Sequence, residues 1–170
     1  MSRRFLGLDP GLRATGWGVI DAEDNRLRWV ADGIVRSDES LSLAERLAQL
    51  FQGVAEVIGT YRPDAAAVEE TFVNRNPTST LKLGQARGAI MAAAGTAGIP
   101  VAEYTPNSIK KTVVGAGHSG KDQVSFMVRR LLPGCLALTP DAADALAVAI
   151  CHAQNNGGLA RRIALAESAR

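Results

Sequence analysis

Three apolar segments open the chain, Arg4–Leu8, Thr15–Asp21 and Arg26–Arg36, and the stretches between them are only a few residues long. A parallel pair needs a crossover of a dozen or more residues, so these three strands are confined to an antiparallel meander. The first ends in Asp9-Pro10-Gly11, a turn sequence, and Gly33 marks a candidate β-bulge in the third. The pattern then changes period. Leu43, Leu47, Leu50, Phe51, Val54, Val57 and Ile58 recur at helical spacing behind Ser42, a good N-cap, and Arg62-Pro63 stops that helix near Tyr61. Ala65–Glu69 is short and apolar enough for a central strand, Thr78–Ala97 reads as a helix, and Gly98–Tyr104 as a fifth strand. Helices follow at about Pro106–Val114, Ser119–Leu132 and Pro140–His152, the last expected to break at Asn155-Asn156-Gly157-Gly158.

An antiparallel start followed by strand–helix–strand crossovers specifies an α/β domain: a mixed five-stranded sheet with helices on both faces. The 170 residues, 46% of them hydrophobic, are enough for one ordinary core. Residues 1–155 are expected to form that single domain, and 156–170 a basic tail that need not be ordered. Apolar runs such as Ala89–Ala94 are too short to span a bilayer, and Asp9 arrives too early for a secretory signal. The expected location is therefore the cytoplasm, with no membrane partner. Cys135 and Cys151 lack a CxxC motif or a Cys/His cluster, which argues against zinc.

Four carboxylates have a reason to meet. Asp9 ends the first strand, and open α/β sheets place ligands at strand ends, although an Asp capping its own turn would look the same. Glu69 and Glu70 end the central strand. Neighbouring strand side chains point to opposite faces, so only one of them can serve a given site, and the sequence pattern leaves the choice open. Asp141 and Asp144 are three residues apart on a helix, hence on one face, with Pro140 or Thr139 setting the helix start and alanines on either side. Acidic side chains at three separate element ends are what hard divalent cations require, and two such ions, Mg²⁺ or Mn²⁺, would support water attack on a phosphodiester. His118 and His152 have no nucleophile near them in sequence; His152 shares the Asp144 helix and could approach the site.

Charge is divided along the chain. Residues 1–70 hold 8 Lys/Arg against 12 Asp/Glu, whereas residues 71–131 hold 8 against 2. A carboxylate-lined site beside a polyanion-binding surface would have this division. Phe72, in a polar loop with Arg75, is placed to stack on bases or to fold back into the core. Lys110 and Lys111 lie on a short helix, and Lys121 begins the next, where backbone N–H groups beside a lysine can hold phosphate; all three could equally face solvent. The small residues of Leu81–Ala94 permit close packing, against the sheet or a second subunit.

Leu6-Gly7-Leu8-Asp9-Pro10-Gly11, Thr15-Gly16, Val68-Glu69, Leu81–Gly88, Lys111–Gly115 and Asp141–Ala147 resemble, in order, the motifs of the RuvC family of Holliday-junction resolvases, over about residues 4–153. The resemblance implies a ribonuclease H-like fold and a homodimer. It implies an endonuclease that nicks two like-polarity strands of a four-way DNA junction symmetrically, in recombination and repair, and partners RuvA and RuvB. It selects Glu69 over Glu70 and gives the metal-binding set as Asp9, Glu69, Asp141 and Asp144. It assigns junction contact to Phe72 and essential roles to Lys110 and Lys121. Glu70 departs from the family pattern. Two rivals are an actin-like phosphotransferase or ATPase fragment, suggested by Asp9-Pro10-Gly11 and Thr15-Gly16, and a catalytically silent junction- or RNA-binding module.

Overall fold

The computed structural model describes residues 1–70, 76–115, 120–137 and 139–168, with side chains except at 121 and from 157 onward. Strands β1 (Arg3–Asp9), β2 (Ala14–Glu23) and β3 (Arg26–Arg36) form the expected meander, followed by helix α1 (Leu43–Tyr61) and strand β4 (Ala65–Glu69). Helix α2 (Pro77–Thr96), strand β5 (Val101–Tyr104), and helices α3 (Pro106–Val114), α4 (Lys121–Leu131) and α5 (Pro140–Ser168) complete the order. The sheet runs β3-β2-β1-β4-β5. β1 pairs antiparallel with β2 and parallel with β4, and β4 pairs parallel with β5, so the sheet is mixed as expected.

Strand alternation divides the core in two. Phe5, Ala65 and Ala67 point toward α3, α4 and α5, where they join Ile109, Val128, Leu146 and Ile150. Leu6, Leu8, Ala66 and Val68 point the other way, toward Leu50 and Val54 of α1 and Ala86 and Ile90 of α2. The two sides are filled differently. α1 brings large aliphatic side chains, and its start is fixed by a capping box in which Ser42 and Glu45 satisfy each other's backbone N–H groups. α5 brings mostly alanine and lies almost against the sheet backbone. A Cβ on Gly7 would fall 2.0 Å from the carbonyl oxygen of Ala145, and one on Gly16 would fall 2.1 Å from that of Asp141. No other residue fits at either place.

Two expectations need correction. The register irregularity of β3 lies between Val19 and Ile20 of β2, which pair with Ala31 and Trp29, so Val30 is the extra residue and Gly33 is not. Gly33 pairs with Trp17 instead, and a Cβ there would meet the indole ring at 2.7 Å. The glycine answers to packing. The break expected at Asn155–Gly158 is also absent: α5 continues to Ser168. Asn155 and Asn156 donate to the carbonyls of Cys151 and His152 one turn back, at 2.9 and 3.1 Å, and so stay inside the helix. The glycines that follow cost a helix about 1 kcal/mol each, which is not enough to stop it.

Among the described residues, no helix is long and apolar enough to cross a membrane.

Candidate functional site

Parallel pairing of β1 with β4 sets Leu8 opposite Val68, so Asp9 and Glu69 are the next residues along at adjacent strand ends. Both follow the parity of Phe5, Gly7, Ala65 and Ala67, the positions facing α5, and Glu70 takes the opposite parity. The side of the sheet against which Val68 packs thus decides what the sequence pattern left open. Glu69 turns toward α5.

The turn that carries Asp9 is fastened by Thr15, which is fully buried. Its hydroxyl donates to the carbonyl of Gly11 at 2.9 Å and accepts from the Gly11 N–H at 3.3 Å. α5 begins where expected, with Thr139 Oγ1 accepting from the N–H of Ala142 at 3.3 Å. This seats Asp141 in the first turn over Gly16 and Asp144 one turn further in. The helix then runs antiparallel to β1, from Asp144 near Asp9 to His152 near Phe5.

Asp9, Glu69 and Asp144 line one cavity of about 210 Å³ together with Lys110, and Ile109 and Val124 supply apolar wall. Four elements thus contribute charge to one opening. Asp141 is half-buried but does not line this cavity. Lys110 turns to the cavity and Lys111 is exposed, so the adjacent lysines divide between site and solvent. Two carboxylates side by side at strand ends are unfavourable unless positive charge lies between them. The donors are all oxygen, which suits a hard divalent ion that keeps part of its water. Among the described residues, no three His, Cys, Asp or Glu side chains stand close enough to hold a metal ion as they are. The cavity has room for a hydrated ion, and its oxygen donors are of the kind such an ion takes.

His152 has a different role. It is buried, with Tyr104 Oη 2.9 Å from its Nδ1 and the Phe5 ring edge-on at 5.1 Å between centroids. Burial, aided by the charge of Arg3, pushes its pKa down to about 4. Eight residues from Asp144, it lies about 12 Å down the helix and away from the cavity. Burial likewise raises the thiol pKa of Cys135 to about 11, and that of Cys151 moves in the same direction; both cysteines are free and buried.

Phe72, Arg75 and His118 lie outside the described residues, and Lys121 opens α4 with its side chain outside them. The apolar wall from Ile109 and Val124 was not legible, because such residues look like ordinary helix core. Nor was the link from Arg87, whose Nε donates to the Glu69 carbonyl at 3.3 Å, although Arg87 lies within Leu81–Gly88. Thr15 had a signal, a hydroxyl residue four positions after the turn glycine.

A family model described as crossover junction endodeoxyribonuclease RuvC matches residues 5–152. A crossover junction endodeoxyribonuclease RuvC from Paramagnetospirillum magneticum is 62% identical over 164 residues, which cover 95% of this chain and 99% of that protein. One from Rhodospirillum rubrum is 63% identical over 165 residues, covering 97% of each. Among solved structures, Thermus thermophilus RuvC in complex with a Holliday junction substrate superposes with a TM-score of 0.83 at 37% identity, covering 89% of this chain and 93% of that one.

Proposed function

Because the chain belongs to the RuvC family of crossover junction endodeoxyribonucleases, we propose that it cuts four-way DNA junctions at the cavity formed by Asp9, Glu69, Asp144 and Lys110. The fold is ribonuclease H-like, and the protein is a nuclease that hydrolyses phosphodiester bonds in recombination and repair. The actin-like and catalytically silent readings are not favoured, since the matching family and relatives are endonucleases. The observation that carries the site is the arrival of three carboxylates, from β1, β4 and α5, in one cavity with a lysine.

Divalent ions, Mg²⁺ or Mn²⁺ and two per site, would supply activation of the attacking water and stabilisation of charge on the phosphate. Asp9, Glu69 and Asp144 would hold them, with Asp141 joining from the first turn of α5. Lys110 offsets the carboxylate charge and gives the incoming phosphate a cation to approach. Ile109 and Val124 keep bulk water from that side, which strengthens each ionic contact within. Lys121 at the start of α4, with Phe72 and Arg75 in the segment of sequence between β4 and α2, would contact the DNA. The nuclease domain is taken as residues 1–155.

A second copy would provide the second cut. An opened four-way junction is pseudo-two-fold, so a two-fold dimer presents equivalent sites to two strands of like polarity. The outer face of α2 supports this reading: Leu81, Gly84, Gly88 and Ala92 are exposed, and a Cβ on Gly84 or Gly88 would meet nothing within 4 Å. Gln85 adds a buried side-chain oxygen with no hydrogen-bond partner among the described residues. The branch-migration proteins RuvA and RuvB are the proposed partners, and the cytoplasm the proposed location.

Asp144→Asn should lower junction cleavage by more than the roughly 10–100-fold that a residue outside the ligand set costs, with junction affinity and unfolding temperature little changed. Glu69→Gln should do the same and Glu70→Gln should not. Equal losses from Glu69→Gln and Glu70→Gln, or a loss of binding that matches the loss of cleavage, would overturn the assignment.

A further inference from the structure

Glu69 is the last residue of β4, and the β1–β4 pairing ends one residue earlier at Leu8 and Val68. On its other side β4 stays paired with β5 through Glu69 and Tyr104. Here both ends of the Glu69–Glu70 peptide are bound. Its N–H, on Glu70, donates to the carbonyl of Tyr104 in β5 at 2.8 Å. Its carbonyl oxygen, on Glu69, accepts from Nε of Arg87 in α2 at 3.3 Å. The other arm of the same guanidinium, Nη2, forms an ion pair with Glu103 of β5. The Arg87 side chain is 19% exposed and its Glu103 partner 44%, so the carbonyl contact is shielded while the ion pair stays partly open to water and serves mainly to orient the guanidinium.

We propose that Arg87 is a positioning residue: by fixing the Glu69–Glu70 peptide it sets the direction in which the Glu69 carboxylate enters the cavity. A planar guanidinium can serve a carbonyl with one nitrogen and a carboxylate with another, in a fixed relation. A lysine ammonium is one nitrogen on a flexible stem and cannot hold that relation. Arg87 touches neither DNA nor an ion in this role. It acts through the backbone of Glu69. The inference rests on the reading of Glu69 as an ion-holding carboxylate.

The test uses the full chain with Arg87→Met, Arg87→Lys and Glu103→Gln. The rise of the unfolding temperature with Mn²⁺ concentration, measured without DNA, reports how well the site holds an ion. Junction affinity without divalent metal and single-turnover cleavage are measured beside it. Arg87→Met should raise the Mn²⁺ concentration for half the thermal shift about 10-fold. Cleavage at low Mn²⁺ should fall to match and recover at high Mn²⁺, with metal-free junction affinity unchanged. Arg87→Lys should fall between Arg87→Met and the unsubstituted chain, and Glu103→Gln should shift the midpoint less than Arg87→Met. An unchanged Mn²⁺ midpoint would overturn the inference, as would a loss of metal-free junction affinity equal to the loss of cleavage. Should Arg87→Met not fold, the midpoints of the other two variants decide the matter in the same way. An unsubstituted chain that Mn²⁺ does not stabilise would overturn the ion-holding reading, and this inference with it.

Discussion

The two faces of the sheet are built on opposite plans. Toward α1 and α2, the strands offer Leu6, Leu8, Val19 and Val68, and the helices answer with Leu50, Val54, Ile58 and Ile90. Toward α5, the strands offer Gly7 and Gly16, and the helix answers with its own backbone. The first face holds through apolar volume and has slack, because a side chain can repack. The second adds to the apolar packing of Phe5, Leu146 and Ile150 a close approach at the glycines, where there is no slack because the atoms that would clash belong to the main chain. The carboxylates Asp9, Glu69 and Asp144 belong to the second face. The proposed site thus lies where position is fixed most tightly.

The contrast breaks first at Gly7. Gly7→Ala would force a Cβ to within 2.0 Å of the Ala145 carbonyl, so α5 must move or the domain must unfold. The expected loss exceeds about 4 kcal/mol in denaturant unfolding, the range reserved for a few severe mechanisms. A normally stable and fully active Gly7→Ala protein would show that close seating is not what places Asp144. Leu50→Ala tests the other face. Leu50 is fully buried, and its truncation should cost about 2–5 kcal/mol while the folded fraction keeps its cleavage rate. Lost activity per folded molecule would mean that the first face also positions the site.

A smaller effect distinguishes the faces by pH. His152 lies on the α5 face with its pKa lowered to about 4 from an ordinary 6.5. The unfolded chain therefore binds this proton more readily than the fold does. The stability it contributes is complete above about pH 6.5 and is lost as pH falls toward 4, by about 3 kcal/mol at most. Asp21, whose carboxyl is held low by its hydrogen bond from Arg4, adds a loss in the same direction in still more acid solution. His152→Asn should flatten the dependence between pH 6.5 and 4 in urea titrations, and an unaltered slope would count against the buried neutral ring.

What the sequence disclosed follows from the same contrast. Periodicity and caps marked out the helices and strands of the Leu-rich face, down to Ser42 as N-cap, because large side chains repeat with the period of the element they pack. That Asp9 and Asp144 would come to one opening was legible because both stand at or near element ends, where open α/β sheets place their clefts. Glu69 over Glu70 needed a family resemblance, since the strand alone does not say which neighbour takes which face. The length of α5 was misread, because an Asn-Asn-Gly-Gly run signals a break only if the asparagines turn outward, and these turn back along the helix. The packing of Gly33 and the contact of Arg87 depended on partners far away in the chain, Trp17 and Glu69, which no local pattern names.

A helix keyed into two glycine notches can neither lift nor turn about its own axis. Rotation by one residue would swing a side chain through about 100°. The bearing of Asp144 toward Asp9 therefore depends on missing methyl groups on β1 and β2 as much as on the small, fully buried alanines of α5 that face them.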